Sequence, residues 1–562
     1  MAGGLFNLIS TSGANLIIHG TPQKTFFKAA YSKITNFGLQ KFRLDYDGMR
    51  DIRLTEESTF TFKVKRYADL LVDTYIGITL PDIWSPVYHP CPENNYKWTP
   101  YDFKWIKNIG SQIVKSVEIN CGSFRIQKYS GEYISAMVER DFSAEKKDIF
   151  DKMTGNVEEI NNPANAFGRV NTYPNAYYTE NANGAEPSIR GRTLYVPINA
   201  WYTLDSKCAF PLISLQYNEL SITVTLRPIQ ELIQVRDVFD PDNYFPYVQP
   251  DFNLERFQMY RFLQTPPSVR IPSGAYEYTT RTWNTDVHLM NTYCFLSKEE
   301  REKFAKEDQV YIIKDIIEYK FQNVTGTSRI KLGSATGLVS SWMWFLQRND
   351  VNMRNEWSNY TNWPYDSIPM NVQYASATIA DDINSDGHVL DTSMNLTTGM
   401  AYNPNGTNTG LFVTGEYNQD NVKNILLTMG IVFDGDYREN IFTREIYDYI
   451  EKYTRTNGSA KEGLYCYNFC LNTNPSVYQP SGAINLSNVR NLELEVSTFI
   501  PRFDAEGSYF GVICDGTDGN VIGVSNKPSW RLYQYNYNLT IFEERYNILS
   551  FLNGQCGMMY AR

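Results

Sequence analysis

Histidine is scarce: four residues in 562, His19, His89, His288 and His388. None forms a His-x-His or His-x-x-x-His pair, and the nucleophile elbow, phosphate-loop and dinucleotide fingerprints are missing. The spacings that metalloenzymes, serine hydrolases and nucleotide enzymes need are therefore lacking, so no enzyme, cofactor or catalytic residue is expected. Basic charge is also short. The 52 Lys and Arg face 62 Asp and Glu, a net charge of -10, whereas phosphate backbones are held by concentrated Lys and Arg. Direct nucleic-acid binding is not expected. No stretch reaches the ~18–20 uninterrupted apolar residues of a membrane span. The start lacks a basic region, and Asn7, Ser10, Thr11, Ser12 and Asn15 break any signal-like apolar run. Gly3 does not directly follow Met1, so the myristoylation pattern is absent. Eight cysteines are too few for a disulfide scaffold in a chain this long. Cys466 and Cys470 share one face of a strand-like segment, but ~3.3 Å per residue puts them ~13 Å apart, too far to bridge. Reduced thiols in a cytosol-made protein are expected.

What is present is aromatic and alternating. Aromatics make up 15%, with 41 Tyr, a folded, strand-favouring composition. Apolar residues recur at period 2 in Phe60, Phe62, Val64; in Val117, Ile119, Cys121; in Leu220, Ile222, Val224, Leu226; in Leu492, Leu494, Val496; and in Tyr533, Tyr535, Tyr537. That period marks strands with one buried face. Val339 to Gln347 carries Trp342 and Trp344 on one face and Met343 and Phe345 on the other, so both faces should be covered. Helices are few. Ser297 with Glu300 reads as a capping box opening a short charged helix. A second helix is expected from Thr443 to Tyr453, with Ile446, Tyr449, Ile450 and Tyr453 as its apolar stripe. A third is expected after Ser143.

The two halves repeat one order of segments. Leu194 to Tyr202 and then Pro211 to Val224 correspond to Leu464 to Asn472 and then Gly482 to Val496. Many short strands with long connections indicate an all-β fold of jelly-roll sandwiches, eight strands each. The expected architecture is two tandem jelly rolls with long loops and a few short helices. The expected boundaries are an arm at 1–25, a first jelly roll at 26–296, a helical linker at 297–308 and a second jelly roll at 309–562. The surplus length should lie in two loops, Pro228 to Trp283 and Asn349 to Asn421, the latter exposed.

Two further features need a plain reading beside the functional one. Asp382, Asn384 and Asp386 match the first ligand positions of a calcium loop, but Ser393 stands where a chelating acid is required. Asn, Asp and Gly also simply favour turns, so no metal is expected and these three are the only calcium candidates. Seven Asn-x-Ser/Thr sequons are about what chance gives at this composition. The N-terminal arm carries Leu5, Phe6, Leu8 and Ile9 among Gly3, Gly4 and Gly13. It is either a strand on the first domain or an assembly arm that a partner buries. The second is preferred, because a loose apolar terminus is an aggregation hazard.

Six segments taken in order carry a resemblance: Met1 to Phe42, Ser116 to Ile126, Pro211 to Leu220, Tyr293 to Ala305, Gln479 to Val489 and Tyr546 to Ala561. Together they resemble the major capsid proteins of nucleocytoplasmic large DNA viruses, the algal-virus and mimivirus-like group. The resemblance implies a double jelly-roll subunit and a homotrimer of pseudo-hexagonal outline that tiles an icosahedral shell. It also implies minor capsid proteins beneath that shell, an internal viral membrane met only indirectly, and a virion protein synthesised in the host cytoplasm. The alternatives are a minor or penton-type capsid protein and a carbohydrate-binding jelly-roll protein.

Overall fold

The computed structural model describes residues 16–169, 172–176, 185–240, 245–267, 276–333, 337–363, 423–459, 461–500 and 535–560. It also gives the backbone of five further strands. Nine strands form the first barrel: β1 (Phe37–Asp45), β2 (Ser58–Lys63), β3 (Leu70–Leu80), β4 (Val114–Cys121), β5 (Phe124–Tyr129), β6 (Arg192–Pro197), β7 (Phe210–Pro211), β8 (Leu220–Leu226) and β9 (His288–Leu296). One sheet runs β1-β9-β3, with β6 and β7 both on the far edge of β3; the other runs β2-β8-β4-β5. Counting β6 and β7 as one position gives eight, a jelly roll.

The second barrel repeats it. Its strands are β10 (Gln309–Val324), β11 (Thr327–Leu332), β12 (Leu338–Arg348), β13 (Leu426–Phe433), β14 (Asp436–Thr443), β15 (Leu464–Asn468), β16 (Ile484–Asn485), β17 (Leu492–Thr498) and β18 (Tyr537–Leu552). Its sheets run β10-β18-β12, with β15 and β16 on β12, and β11-β17-β13-β14. Adding nine to each strand number of the first barrel gives the second. Even a register irregularity recurs, between Thr292 and Tyr293 on β9 against β3 and between Val339 and Ser341 on β12 against β18. A final strand, β19 (Gln555–Met558), folds back on β18.

Both barrels also carry their extra length at the same two connections. In the first, Phe103–Trp105 from the β3–β4 connection pairs with Ile233–Arg236 from the β8–β9 connection. In the second, Asn408–Thr414 from the β12–β13 connection pairs with Val521–Asn526 from the β17–β18 connection.

The alternating segments behave as their period requires. Phe60, Phe62, Ile119, Ile222, Val224, Leu492 and Leu494 are all buried. Trp342 and Trp344 enter the second barrel's core, while Met343 and Phe345 join the first barrel's cluster. The strand is thus covered on both faces.

All three expected helices form. The capped helix α3 (Lys298–Lys306) forms with Ser297 accepting from the Glu300 amide at 3.4 Å. Helix α2 (Ala144–Thr154) forms behind its Ser143 cap. The helix expected from Thr443 to Tyr453 also forms: strand β14 ends at Thr443, and a π-helical turn, Ile446–Ile450, continues as the α-helix Glu451–Arg455. Its buried residues are Tyr447, Asp448 and Lys452, while Tyr449, Ile450 and Tyr453 are exposed. Of the expected stripe, Ile446 packs against the second core, while Tyr449, Ile450 and Tyr453 face away from it, with the Asp448–Lys452 ion pair, 2.6 Å, on the inner side.

The Asn349 to Asn421 expectation also needs correction at its start. Val351, Asn355, Ser358, Asn359, Tyr360, Thr361 and Asn362 are buried, because their polar groups find partners inside. Asn362 Oδ1 accepts from the hydroxyls of Tyr535 and Tyr537 at 2.6 and 2.7 Å. Pro228 to Trp283 is likewise no plain loop, since Ile229, Leu232, Ile233, Val235, Phe257, Met259 and Phe262 enter the core. Asp382, Asn384 and Asp386, and Leu5, Phe6, Leu8 and Ile9, lie outside the described residues.

Candidate assembly site: the junction between the barrels

Helix α1 (Gly131–Asp141) follows β5 and is buried along its whole length. Its sequence gives little sign of this, since Glu132, Glu139, Arg140 and Asp141 are charged. Ser130 caps it, accepting from the Tyr133 amide at 3.3 Å. Gly131 is required by close approach: a Cβ there would stand 1.9 Å from the Ser111 carbonyl oxygen.

The helix lies between the barrels and meets the outer face of β12 and β18. Arg140 forks onto its neighbour Asp141, with Nε–Oδ1 3.0 Å and Nη2–Oδ2 2.7 Å, and donates to Glu544 of β18 at 2.8 Å and to Ser341 of β12 at 3.1 Å. Lys314 of β10 donates to the other Glu544 oxygen at 3.1 Å. Tyr133 donates to Glu544 at 2.9 Å and packs edge-on against Phe542. Two cations thus face two carboxylates with the remaining lone pairs satisfied, the condition under which buried charge is tolerated. Burial penalises the Glu544 charge, yet Arg140 and Lys314 hold its carboxyl well below the ordinary range. Asp141 sits above its ordinary value because burial outweighs the guanidinium beside it.

The contact spreads from there. Gln127 of β5 donates to the Lys314 carbonyl. Arg227 donates to Glu132 at 3.0 Å, and Lys320 of β10 pairs with the other Glu132 oxygen at 3.4 Å. The Gly458 amide donates to the Arg140 carbonyl at 2.8 Å, and a Cβ on Gly458 would meet Glu139 and Arg140 backbone at 2.3–2.4 Å. The buried 349–363 segment closes the other side. Asn355 donates to the Gln230 and Ile233 carbonyls, both at 2.7 Å, and the Trp357 indole donates to the Glu231 carbonyl at 2.9 Å. Cys556 of β19 packs against the cluster that holds Cys121 of β4, and its proximity lowers the Cys121 thiol. All seven cysteines among the described residues are free.

Chemically the junction fixes geometry. His288 is buried with Nδ1 2.7 Å from the Asp286 carbonyl, while His19 and His89 are exposed. Among the described residues no three His, Cys, Asp or Glu side chains cluster as metal ligands, and no helix is long and apolar enough to cross a membrane. Sequence reasoning missed α1 and the 349–363 clamp. For α1 the available signal was Tyr133, Ile134, Met137 and Val138 at helical spacing behind Ser130, and for the clamp a polar run beside a β12 that needs cover on two faces.

The comparisons agree with this architecture. Residues 25–250 match the family model for the major capsid protein N-terminus, and residues 300–557 match that for the large eukaryotic DNA virus major capsid protein. The major capsid protein of Phaeocystis pouchetii virus is 24% identical over the whole of both chains. That of Paramecium bursaria Chlorella virus 1 is also 24% identical over the whole of both. Among solved structures, a quasi-atomic model of the Paramecium bursaria Chlorella virus 1 capsid aligns with TM-score 0.56 and 18% identity, covering 96% of this chain and 100% of its own. The Faustovirus major capsid protein aligns with TM-score 0.56 and 12% identity, covering 93% of this chain and 92% of its own. Duplicated barrels, a fixed junction and these matches lead to one conclusion: the chain belongs to the major capsid protein family of large eukaryotic DNA viruses, a double jelly-roll protein of the virion shell.

Proposed function

We propose that the chain is a structural tile that associates as a homotrimer of pseudo-hexagonal outline and packs into an icosahedral shell, without catalytic turnover. The observation that carries this is the repeated topology. Two barrels of identical strand order, held at a fixed angle by a buried ionic junction, give three chains six similar corners. The division that fits this role is an arm at 1–25, barrels at 26–296 and 309–562, and a linker at 297–308 carrying the exposed helix α3.

The arm is the proposed tie to neighbouring capsomers or to minor capsid proteins under the shell, with Leu5, Phe6, Leu8 and Ile9 as its apolar anchors. Its support is continuity. Ile17, Phe26, Phe27, Tyr31 and Ile34 are all more than four-fifths exposed, and the first barrel strand begins only at Phe37. Any internal membrane is met through those partners, nucleic acid is not bound directly, and synthesis is in the host cytoplasm. Light scattering with negative-stain imaging of purified protein tests the reading. Three chains with a hexagonal outline are expected, and a monomer under gentle conditions overturns it.

A further inference from the structure

Within one chain, β5 and the helix after it, α1, cover β10 and the outer face of β12 and β18. The duplication supplies the same surfaces again, and leaves the donor surface exposed and the acceptor surface only partly covered. The strand matching β5 is β14, and the helix matching α1 is the segment Ile446–Arg455. Tyr437 and Ile441 on β14, and Tyr449, Ile450 and Tyr453 on the segment, are exposed, Tyr453 to 91%. This contrasts with α1, where every residue is buried.

The strand matching β10 is β1. Its outer-face residues Phe37 and Leu39 are 54% and 58% exposed. The shared register irregularity aligns the two receiving faces residue by residue. Asp73 stands where Ser341 does, Thr292 where Glu544 does, Tyr75 where Met343 does, and Met290 where Phe542 does. Met343 and Phe542 are fully buried under α1, while Asp73, Tyr75 and Met290 are only half-buried. Beside Asp73 and Tyr75 a groove of about 160 Å³ runs between β3 and helix α2, lined also by Ile149 and Met153. On β12 the covered face carries Ser341, Met343, Phe345 and Gln347, all buried. The matching face of β3 carries Asp73, Tyr75, Gly77 and Thr79, of which Asp73, Tyr75 and Thr79 stay half-buried.

We propose that β14 and the segment Ile446–Arg455 of one copy dock onto β1 and the outer face of β3 and β9 of a second copy. This inference rests on the proposed homotrimer and names its contact surface. The contact is heterologous, joining two different surfaces, so each copy offers one of each, and the assembly closes only when the rotation per barrel divides a full turn. Two barrels per chain and three chains close it when that rotation is one sixth. The occupant is a second copy because the chain already contains one instance of the same pairing.

The test uses the full-length protein. Ile450→Lys with Tyr453→Lys changes only exposed side chains and places two cations in the centre of the donor surface. Tyr75→Lys places one cation at a half-buried position of the acceptor surface, and Tyr96→Lys, on an exposed loop of the first barrel, is the control. The first two variants are expected to give folded monomers by light scattering and circular dichroism, with the control remaining trimeric. Hydroxyl-radical footprinting of the wild-type oligomer is independent of any variant's folding. Tyr449, Tyr453 and Tyr75 are expected to be modified several-fold more slowly than Tyr96. A wild-type trimer in which those tyrosines react as fast as Tyr96, and in which the Lys variants still assemble, overturns this contact while leaving the homotrimer standing. A wild-type monomer at every concentration overturns both.

Discussion

Arg140 and Glu544 show how much one buried contact decides in a tile of this kind. Each is about 1% exposed, and each joins one barrel to the other. Removing one partner of a buried, fully hydrogen-bonded ion pair leaves the other charge uncompensated and typically costs ~3–5 kcal/mol. Arg140→Ala is therefore expected to lower the urea midpoint by about that free energy, and a loss below ~1 kcal/mol would show the junction to be incidental. The pH dependence has a definite sign. The Glu544 carboxyl is depressed in the folded state, so its contribution is fully present above ~4.5, the unfolded range for Glu, and is lost as pH falls through the lower folded value. Asp141 is displaced the other way and opposes it. Glu544→Gln should be less stable than wild type at pH 7, with the gap narrowing in acid urea titrations. A gap that is unchanged between pH 7 and pH 3 would contradict the assignment. Gly458→Ala forces a Cβ into the α1 backbone, and overpacking of this sort costs ~1–3 kcal/mol.

At the scale of elements, period and capping were legible and cover was not. Period 2 located the strands around Phe60, Val117, Leu220 and Leu492, and Ser297 and Ser143 announced their helices, because those signals depend on neighbours three or fewer residues away. Helix α1 escaped notice because its charged residues find partners on distant segments, Glu132 at Arg227 and Lys320 and Arg140 at Glu544. The stripe Ile446, Tyr449, Ile450, Tyr453 is legible, but only Ile446 meets this chain's core, since period says that a face is apolar and not which body covers it. The 349–363 segment read as an exposed loop because Asn and Thr are common there, yet its polar groups are spent on Gln230, Ile233 and Tyr537. Limited proteolysis is accordingly expected to cut first between Trp363 and Leu426, in the Asn- and Thr-rich sequence. It should spare both 349–363 and β13, and early cleavage within 349–363 would show the clamp to be loose.

On the scale of the whole molecule, stability and assembly should separate. Residues 16–36 are exposed apart from Gly20, so deleting Met1 to Thr21 is expected to leave the melting temperature of the purified oligomer within ~2 °C, well below the several degrees that one lost core interaction produces. Particle assembly should fail with the same deletion. A deletion that unfolds the oligomer would place the arm inside a barrel. The candidate calcium loop and the four apolar arm anchors fall outside the described residues.

The sequence by itself determined the repeating unit: alternation specifies strands, and two copies of one segment order specify two like barrels, since both are local or self-similar patterns. Only the tertiary structure decided which face of each barrel is covered and by what. That choice is made by contacts between Arg140, Ser341, Lys314 and Glu544, residues far apart along the chain. Covering one of two equivalent faces leaves its duplicate open, and that difference is a property of the assembled chain alone.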